Sequence, residues 1–527
     1  MASALPVPTE IELKLAIDPT AVPGLLRHPA LQAVRTGRLR TSRLVAHYYD
    51  SPDARLARND LALRVRREGR RWIQTLKGPA EPTGGAGLQV RGEWAWPVRD
   101  AALDPALVAT TPWHKVLAKA LRRGGLVRCF STEFARRTLP LAFPDGTQAE
   151  LAIDRGEIRA FANGRLRRAP ICEIEIELKA GEVVNLYRLA LALRADLPLR
   201  VLADSKAARG YALRRGAHLV NDEPVHAARV ALAPDASAVE ALAAVARECL
   251  HQIAANAAGL LSETDPEWIH QMRVGTRRLR SCLSLVVHVA PAVPLDDVRA
   301  DIKWLAKILG HARDWDVFTT QTLPPFVAAF ARDETLAPGL ARVRARVAAR
   351  RRSARAAARA AVASPRFHRL LLATALAVAV ASIGVDAASA STRAQSDRAD
   401  SFAAALLARR HRKLLERGAA LAHASDQERH AARIAAKRLR YAAEFFAPLF
   451  ARRRAGAYVE ALAELQDVLG QCNDAASASA HAAELAGTTD ATLAATIRGW
   501  AAAHGAALAP GLAKAWRRFE SAKPFWD

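Results

Sequence analysis

From Glu10 to Asp18 the chain reads EIELKLAID, and from Ile171 to Lys179 it reads ICEIEIELK. Successive side chains of a strand point to opposite faces. Glu10, Glu12 and Lys14 therefore share one face while Ile11, Leu13 and Leu15 share the other, and Glu173, Glu175 and Glu177 likewise oppose Ile174, Ile176 and Leu178. Between the two stretches, short alternating runs are broken by turn signals such as RREGRR, LKGPAEPTGGAG, FPDGTQ and DRGE, the rhythm of a sheet or barrel. Near residue 215 the pattern changes: long stretches of alanine, leucine and arginine take on helical spacing, and glycine thins out. The expected architecture is multidomain α+β, with an antiparallel β region over 1–214, a join over 215–235 and an all-α region over 236–527.

The helical half repeats itself. HQMRVGTRRLR starts at His270 and HAARIAAKRLR at His430, 160 residues on; ILGHARD starts at Ile308 and VLGQCND at Val468, again 160 residues on. Two motifs with one offset, closing on Asp314 and Asp474, predict two similar helical bundles over about 236–385 and 396–527. Arg342–Ala363 is expected to be a solvated helix and Asp386–Asp400 a connecting loop. LLLATALAVAVASIGV, Leu370–Val385, is short for a membrane span and rich in alanine, so it is expected to be a buried helix.

A chain of 527 residues has room for two or more domains. Its net charge of +25 points to a polyanionic partner: nucleic acid, an acidic membrane surface or phosphate chains. Five scattered cysteines with no CxxC pair argue against a disulfide framework or zinc cage and fit a reducing cytosol. MASALPVPTE has neither a basic start nor an apolar run, so no secretory signal is expected and the cytoplasm is the expected compartment.

Charge then changes the reading of the strands. A row of glutamates two residues apart asks for compensating cations, and neighbouring runs supply them: Arg64 and Arg66 in LALRVRR, Lys77 in WIQTLKG, Arg91 with Glu93 in QVRGEWAW, and Arg136 in FSTEFARR, with Asp154 in AELAIDRG. For all these faces to turn inward the sheet must close on itself, leaving a lumen lined by both signs. Carboxylate oxygens suit hard cations such as Mg2+ or Mn2+, while arginine and lysine match phosphate oxygens. No serine, histidine and aspartate triad is visible, and GGAG at Gly84–Gly87 lacks the GK[ST] ending of a P-loop.

EIELKL, with HYYDSPDARLARNDLALRVRR, TLKG, RGEW, AIDRGEI, CEIEIELK and SKAARGYAL, resembles the CYTH domain of the triphosphate tunnel metalloenzymes over roughly residues 8–215. The resemblance implies an eight-stranded antiparallel barrel, a divalent metal, and hydrolysis or cyclisation of a triphosphate. Carried over by position, Glu10, Glu12, Asp154 and the Glu173, Glu175, Glu177 row would serve metal, with Glu175 and Glu177 favoured on that strand. Lys14, Arg64, Arg66, Lys77, Arg91 and Arg136 would grip phosphate, joined by Lys206 and Arg209 of SKAARGY from a C-terminal helix. Inorganic triphosphate is the expected substrate; thiamine triphosphate and ATP cyclisation stay open, as does a barrel that binds without turnover.

In the helical half, His270, Arg273, Arg277 and Arg280 fall on one helix stripe, repeated by His430, Arg433, Lys437 and Arg440, with Arg278 and Arg438 to one side. HQMRVGTRRLR resembles the signature of the CHAD domain over roughly residues 236–520, which implies binding of inorganic polyphosphate along these residues and raises association with polyphosphate granules as an expectation. The second copy departs at Lys437, keeping charge without bidentate geometry. The basic runs carry few interleaved aromatics, so no specific nucleic-acid binding is expected.

Overall fold

The computed structural model describes residues 8–80, 85–122, 124–217, 223–330, 332–387, 398–419, 421, 424–486 and 491–526. The start of MASALPVPTE, Gly84 of GGAG, part of the join and most of the expected 386–400 loop lie outside them. The chain divides into two compact units: one runs to His226 and takes in Leu250–Glu263 and Val362–Val380, and the other comprises Ala227–Cys249, Thr264–Ala361 and Ala381 onward.

In the first unit the strands are β1 (Thr9–Ala16), β2 (Arg40–Asp50), β3 (Ala62–Glu68), β4 (Arg71–Ala80), β5 (Leu88–Val98), β6 (Val127–Ala142), β7 (Gln148–Ala162), β8 (Arg165–Ala180) and a short β9 (Arg200–Val201). Helices α1 (Val22–Arg27) and α2 (Pro29–Gln32) follow β1, α3 (Pro105–Val108) and α4 (His114–Arg122) follow β5, and α5 (Val184–Asp196) and α6 (Lys206–Arg215) flank β9. The pairing order is β5-β4-β3-β2-β6-β7-β8-β1, and β1 returns to pair with β5, so eight antiparallel strands close into the expected barrel.

Period-two alternation decides what each face meets. Outside, Leu63 and Leu76 pack with Trp94, Trp96 and Trp113 beneath Val108 of α3 and Leu117 of α4. Inside, the filling changes along the barrel. Ala46, Tyr48, Phe130, Phe134, Ile158 and Ile171 join Ala207 and Tyr211 of α6 in one buried apolar cluster, whereas farther along the same strands the rows carry charge. On β8 the inward row reads Ile171, Glu173, Glu175, Glu177, turning from hydrocarbon to carboxylate within one strand. The interior is thus part core and part charged chamber, where the sequence pattern predicted charge throughout.

The second unit and the segments tied to the first are helical: α7 (Ala238–Ser262), α8 (Pro266–Val289), α9 (Asp296–Val317), α10 (Leu323–Ala329), α11 (Ala337–Ala363), α12 (Pro365–Ala387), α13 (Ala399–Gly418), α14 (Asp426–Phe446), α15 (Arg452–Ala486), α16 (Ala491–Ala507) and α17 (Ala509–Glu520). The repeat extends to the helix starts. α8 is capped by Asp265 and α14 by Ser425, the latter in a capping box with Glu428. α11 keeps Arg342, Arg344, Arg350 and Arg352 exposed, but its other face is packed rather than solvated: Val343, Val347, Ala354, Ala358 and Val362 are buried, and Arg351 Nε lies 2.6 Å from the buried carboxylate of Asp316. Pro365–Ile383 is long and apolar enough to cross a membrane by length and composition, yet half of that window is buried inside the protein, with Phe367, Leu370, Leu371 and Leu372 in the core.

α6 meets the barrel through Gly210, where an added Cβ would stand 2.2 Å from the Phe130 ring. Gly210→Ala must therefore push the helix away from the cylinder. The expected cost is about 1–3 kcal/mol of folding free energy, measured by urea unfolding; an unchanged midpoint would mean that α6 adjusts freely.

Candidate functional site

The charged part of the barrel encloses a cavity of about 410 Å³. Its wall carries eight bases (Lys14, Arg64, Arg66, Lys77, Arg91, Arg136, Lys179, Lys206) and seven acids (Glu10, Glu12, Glu68, Glu93, Glu150, Glu175, Glu177), so the two signs nearly cancel. Strand register sets the neighbours: Lys14 on β1 stands opposite Glu175 on β8, and Glu12 opposite Glu177. Glu150 on β7 also faces Glu177.

At the inner end the charges lock together. Lys14 Nζ is 2.7 Å from both Glu12 and Glu175. Lys206 Nζ lies 2.9 Å from Glu175 and 2.6 Å from Asp154, and it also pairs with Glu173. Arg136 forks onto Asp154 through Nε at 2.8 Å and Nη2 at 2.7 Å and reaches Glu175 as well, while Arg209 pairs with Glu173. Burial alone would raise the Glu175 carboxyl, but Lys14, Lys206 and Arg136 hold it well below the usual carboxylate range.

Toward the open side compensation is thinner. Burial and Arg64 push the Arg66 guanidinium down to about 10, although Glu68 stands 2.5 Å away. Glu177 moves the other way: burial raises its carboxyl, and Glu10 and Glu12 add to the rise against Lys179. Lys77 ties Glu10 and stands 3.6 Å from Glu93. This side accordingly offers one under-compensated cation, Arg66, and three carboxylates that each keep a near cation, Lys77 for Glu10, Lys14 for Glu12 and Lys179 for Glu177, while still repelling one another.

That difference decides where a divalent cation fits. Asp154, Glu173 and Glu175 have ligand atoms within 4.8 Å of one another, but Lys206, Arg136 and Arg209 already neutralise them. Glu12 and Glu177 are like charges directly across a strand pair, with Glu10 two residues along, and such a pair is relieved by a cation. Their all-oxygen donor set matches hard divalent ions.

Of the residues expected from sequence, the cavity brings together Glu10, Glu12, Lys14, Arg64, Arg66, Lys77, Arg91, Arg136, Glu175, Glu177 and Lys206. Asp154 and Glu173 are wholly buried behind that wall, and Arg209 holds Glu173 rather than facing the cavity. Sequence reasoning left out Tyr48, Glu68, Gln89, Glu150 and Lys179, which also line it. Parity could have found Glu150 and Lys179, which share inward rows with Asp154 and Glu177.

In the helical unit the two stripes meet. A groove of about 340 Å³ is lined by His270, Arg273 and Arg277 of α8, Arg433 and Lys437 of α14, Arg313 and Asp314 of α9, and Asp467 and Asp474 of α15. Burial, then Arg277, Arg433 and Arg273, push the Lys437 amine down to about 6. The same crowding lowers Arg273 and Arg433 from their ordinary value, burial being the first cause, and His270 is lowered by burial and Arg313. The remaining stripe residues point elsewhere. Arg278 is buried with Nη1 2.9 Å from Glu444, Arg440 Nε is 2.7 Å from the same carboxylate, and Arg280 and His430 are exposed. Arg438 lines a different groove.

A family model of the CYTH domain matches residues 8–211, and one of the CHAD domain matches residues 243–483. Over 206 residues the chain is 32% identical to an inorganic triphosphatase of Haemophilus influenzae, a match covering 39% of this chain and 54% of that protein. The chain thus spans about half the length of that curated relative. The crystal structure of the CHAD domain from the plant Ricinus communis is 35% identical with a TM-score of 0.50, covering 57% of this chain and 98% of that one.

Lys206 touches three buried carboxylates at once. Lys206→Met is expected to cost about 3–5 kcal/mol of stability at neutral pH, read by chemical unfolding. The deficit should shrink toward pH 5, where the orphaned carboxylates take up protons. A deficit independent of pH would assign the loss to packing instead.

Proposed function

The chain belongs to the proteins that join a CYTH domain to a CHAD domain, and from that premise we propose that its barrel hydrolyses inorganic triphosphate to pyrophosphate and phosphate and that its helical groove binds inorganic polyphosphate. The observation that carries the first part is the near-balanced wall of the barrel cavity. With eight bases against seven acids, the chamber has too little net positive charge to hold a bare triphosphate, whose several negative charges must be met by cations that enter with it. Glu10, Glu12 and Glu177 would hold a Mg2+ or Mn2+ ion, with Glu175 beside them. When bound, the ion supplies Lewis-acid polarisation of phosphoryl oxygens and neutralises charge in the leaving group.

The chain's own residues do the rest. Arg64, Arg66, Lys77 and Arg91 line the cavity wall as phosphate grips, and Arg66, poorly compensated in the free protein, gains most from an anion. Lys14, Arg136 and Lys206 are fixed by Glu175 and Asp154, so they present charge without reorganising as the bond breaks. Glu177, whose carboxyl burial raises with Glu10 and Glu12 adding to the rise, would be kept in its charged, ligating form by a bound cation. The 32% identity to an inorganic triphosphatase supports this choice of substrate. For the helical groove, the support is the convergence of both stripes on one cavity with a lysine held nearly neutral.

Phosphate release from triphosphate with Mg2+ or Mn2+ tests the barrel. Glu10→Ala and Glu177→Ala should lower kcat at least about a hundredfold, with part of the loss recovered at raised metal, and Arg66→Ala should act mainly on KM. No release above background from intact protein, with polyphosphate still bound, would leave a binding protein in place of an enzyme.

For the groove, a lysine lowered to about 6 must regain its proton when a polyanion arrives. Polyphosphate affinity should climb as pH falls from 7.5 toward 6 and level off below, with proton uptake seen in calorimetry using buffers of different ionisation enthalpy. Lys437→Arg should flatten that profile; a profile equally steep in the variant would remove Lys437 from the site.

A further inference from the structure

The two copies of the helical repeat differ sharply at one place, and the difference goes beyond the reading above. A second groove, of about 740 Å³, is walled by Arg299 of α9, Arg409, Arg410, Arg412 and Lys413 of α13, and Arg438 of α14, with Glu416 the one carboxylate on its lining among the described residues. It shares no residue with the groove of His270 and Lys437.

The first copy shows what this position looks like when it is closed. The caps of α8 and α14, Asp265 and Ser425, are 160 residues apart, and α7 and α13 start 161 apart, at Ala238 and Ala399. In that register Arg438 matches Arg278, Ser284 matches Glu444, and Arg409 and Arg410 match Glu248 and Cys249. Arg278 is buried with Glu444 2.9 Å away, and the Cys249 thiol, pushed up first by burial, also feels Arg278, Glu248 and Glu444. Arg278 of the first copy is therefore sealed beside a carboxylate that α14 of the second copy supplies. Around the equivalent Arg438 both acids are gone: the exposed Ser284 of α8 stands where Glu444 would, and Arg409 of α13 stands where Glu248 would.

The outcome is a concavity of like charge. Among the described residues no carboxylate pairs with Arg409, Arg410, Arg412, Lys413 or Arg438; Arg410 instead donates through Nη1 to the backbone carbonyl of Arg438. Burial, then Arg438 and Arg409, lower the Arg410 guanidinium to about 10. Arg299, Arg409, Arg412, Lys413 and Arg438 are exposed and Arg410 is half-buried, and all six line one hollow, so an anion that enters meets several cations at once.

We propose that this groove is a separate anion site, taking a compact ligand with two or more adjacent phosphoryl groups held between Arg410 and Arg438. Guanidinium forks match tetrahedral phosphate oxygens in pairs. The lining adds Leu285, Val287 and His288, and among the described residues no Phe, Tyr or Trp lines it, so the grip offered is charge rather than a large stacking platform.

Equilibrium dialysis of the intact protein with labelled pyrophosphate, without divalent cations, tests the assignment. Ser284→Glu places beside Arg438 the kind of carboxylate that Glu444 gives Arg278, without removing a base, and Arg410→Gln with Arg438→Gln removes the grips. Each is expected to weaken one pyrophosphate equivalent per chain by about tenfold or more, while triphosphate hydrolysis stays at the wild-type rate. Arg273→Gln with Arg433→Gln should affect a different equivalent, and the losses should add. The Arg410 and Arg438 variant should unfold at an equal or higher temperature than wild type, because repulsion is relieved, yet lose the upward shift that pyrophosphate gives. Unchanged pyrophosphate binding in both the Ser284 and the Arg410/Arg438 variants overturns the proposal, as does a loss that fails to add to that of Arg273 and Arg433. A protein inactive on triphosphate that still loses one pyrophosphate equivalent in these variants would sink the barrel reading and leave this one standing.

Discussion

The structure of the first unit depends on placing unlike charges against one another inside a closed cylinder. Lys206 is the pivot: one ammonium meets Asp154, Glu173 and Glu175, each buried, and Arg136 and Arg209 complete the neutralisation. Removed from water singly, any of these groups would carry a desolvation penalty of several kcal/mol. Held together they form a rigid floor, and the looser charges above it, around Glu10, Glu12, Glu177 and Arg66, face a chamber whose sign can be set by what enters. The apolar cluster beneath α6 makes this possible by excluding water from the far side of the floor.

Much of this was legible from alternation alone. The inward rows of β1, β3, β5, β6 and β8 could be read from period two, and closure followed from the need to hide so many charged faces. Alternation says which face a residue takes but nothing of depth along the cylinder. Glu173, Glu175 and Glu177 are equivalent by parity, yet the first is sealed under Lys206 and Arg209 while the last faces the chamber beside Glu10 and Glu12. Depth is set by where α6 inserts, and α6 is placed by Phe130 and Gly210, a contact between distant positions that no local pattern announces.

The helical unit shows the same division. Spacing found the stripes and the repeat found their equivalence, but a stripe drawn on an ideal helix does not know its neighbours. Arg278 and Arg440 were drawn among the binding residues, and Glu444 of α14 claims both. In α11 the arginine and alanine tract read as solvated because charge outnumbered large apolar residues; small alanines pack closely, and Asp316 draws in Arg351 and Arg355.

The order of strands in the barrel carries a consequence for synthesis. β1 is translated before its partners β5, β8 and β9, and the lysine that anchors its partner's carboxylate lies on α6 after all of them. Until β8 and α6 have been made, EIELKL has an apolar face and no neighbour on one side. Its row of alternating charges then acts as a gatekeeper, keeping an early, unpaired segment soluble and out of wrong pairings while the rest of the cylinder is still being translated.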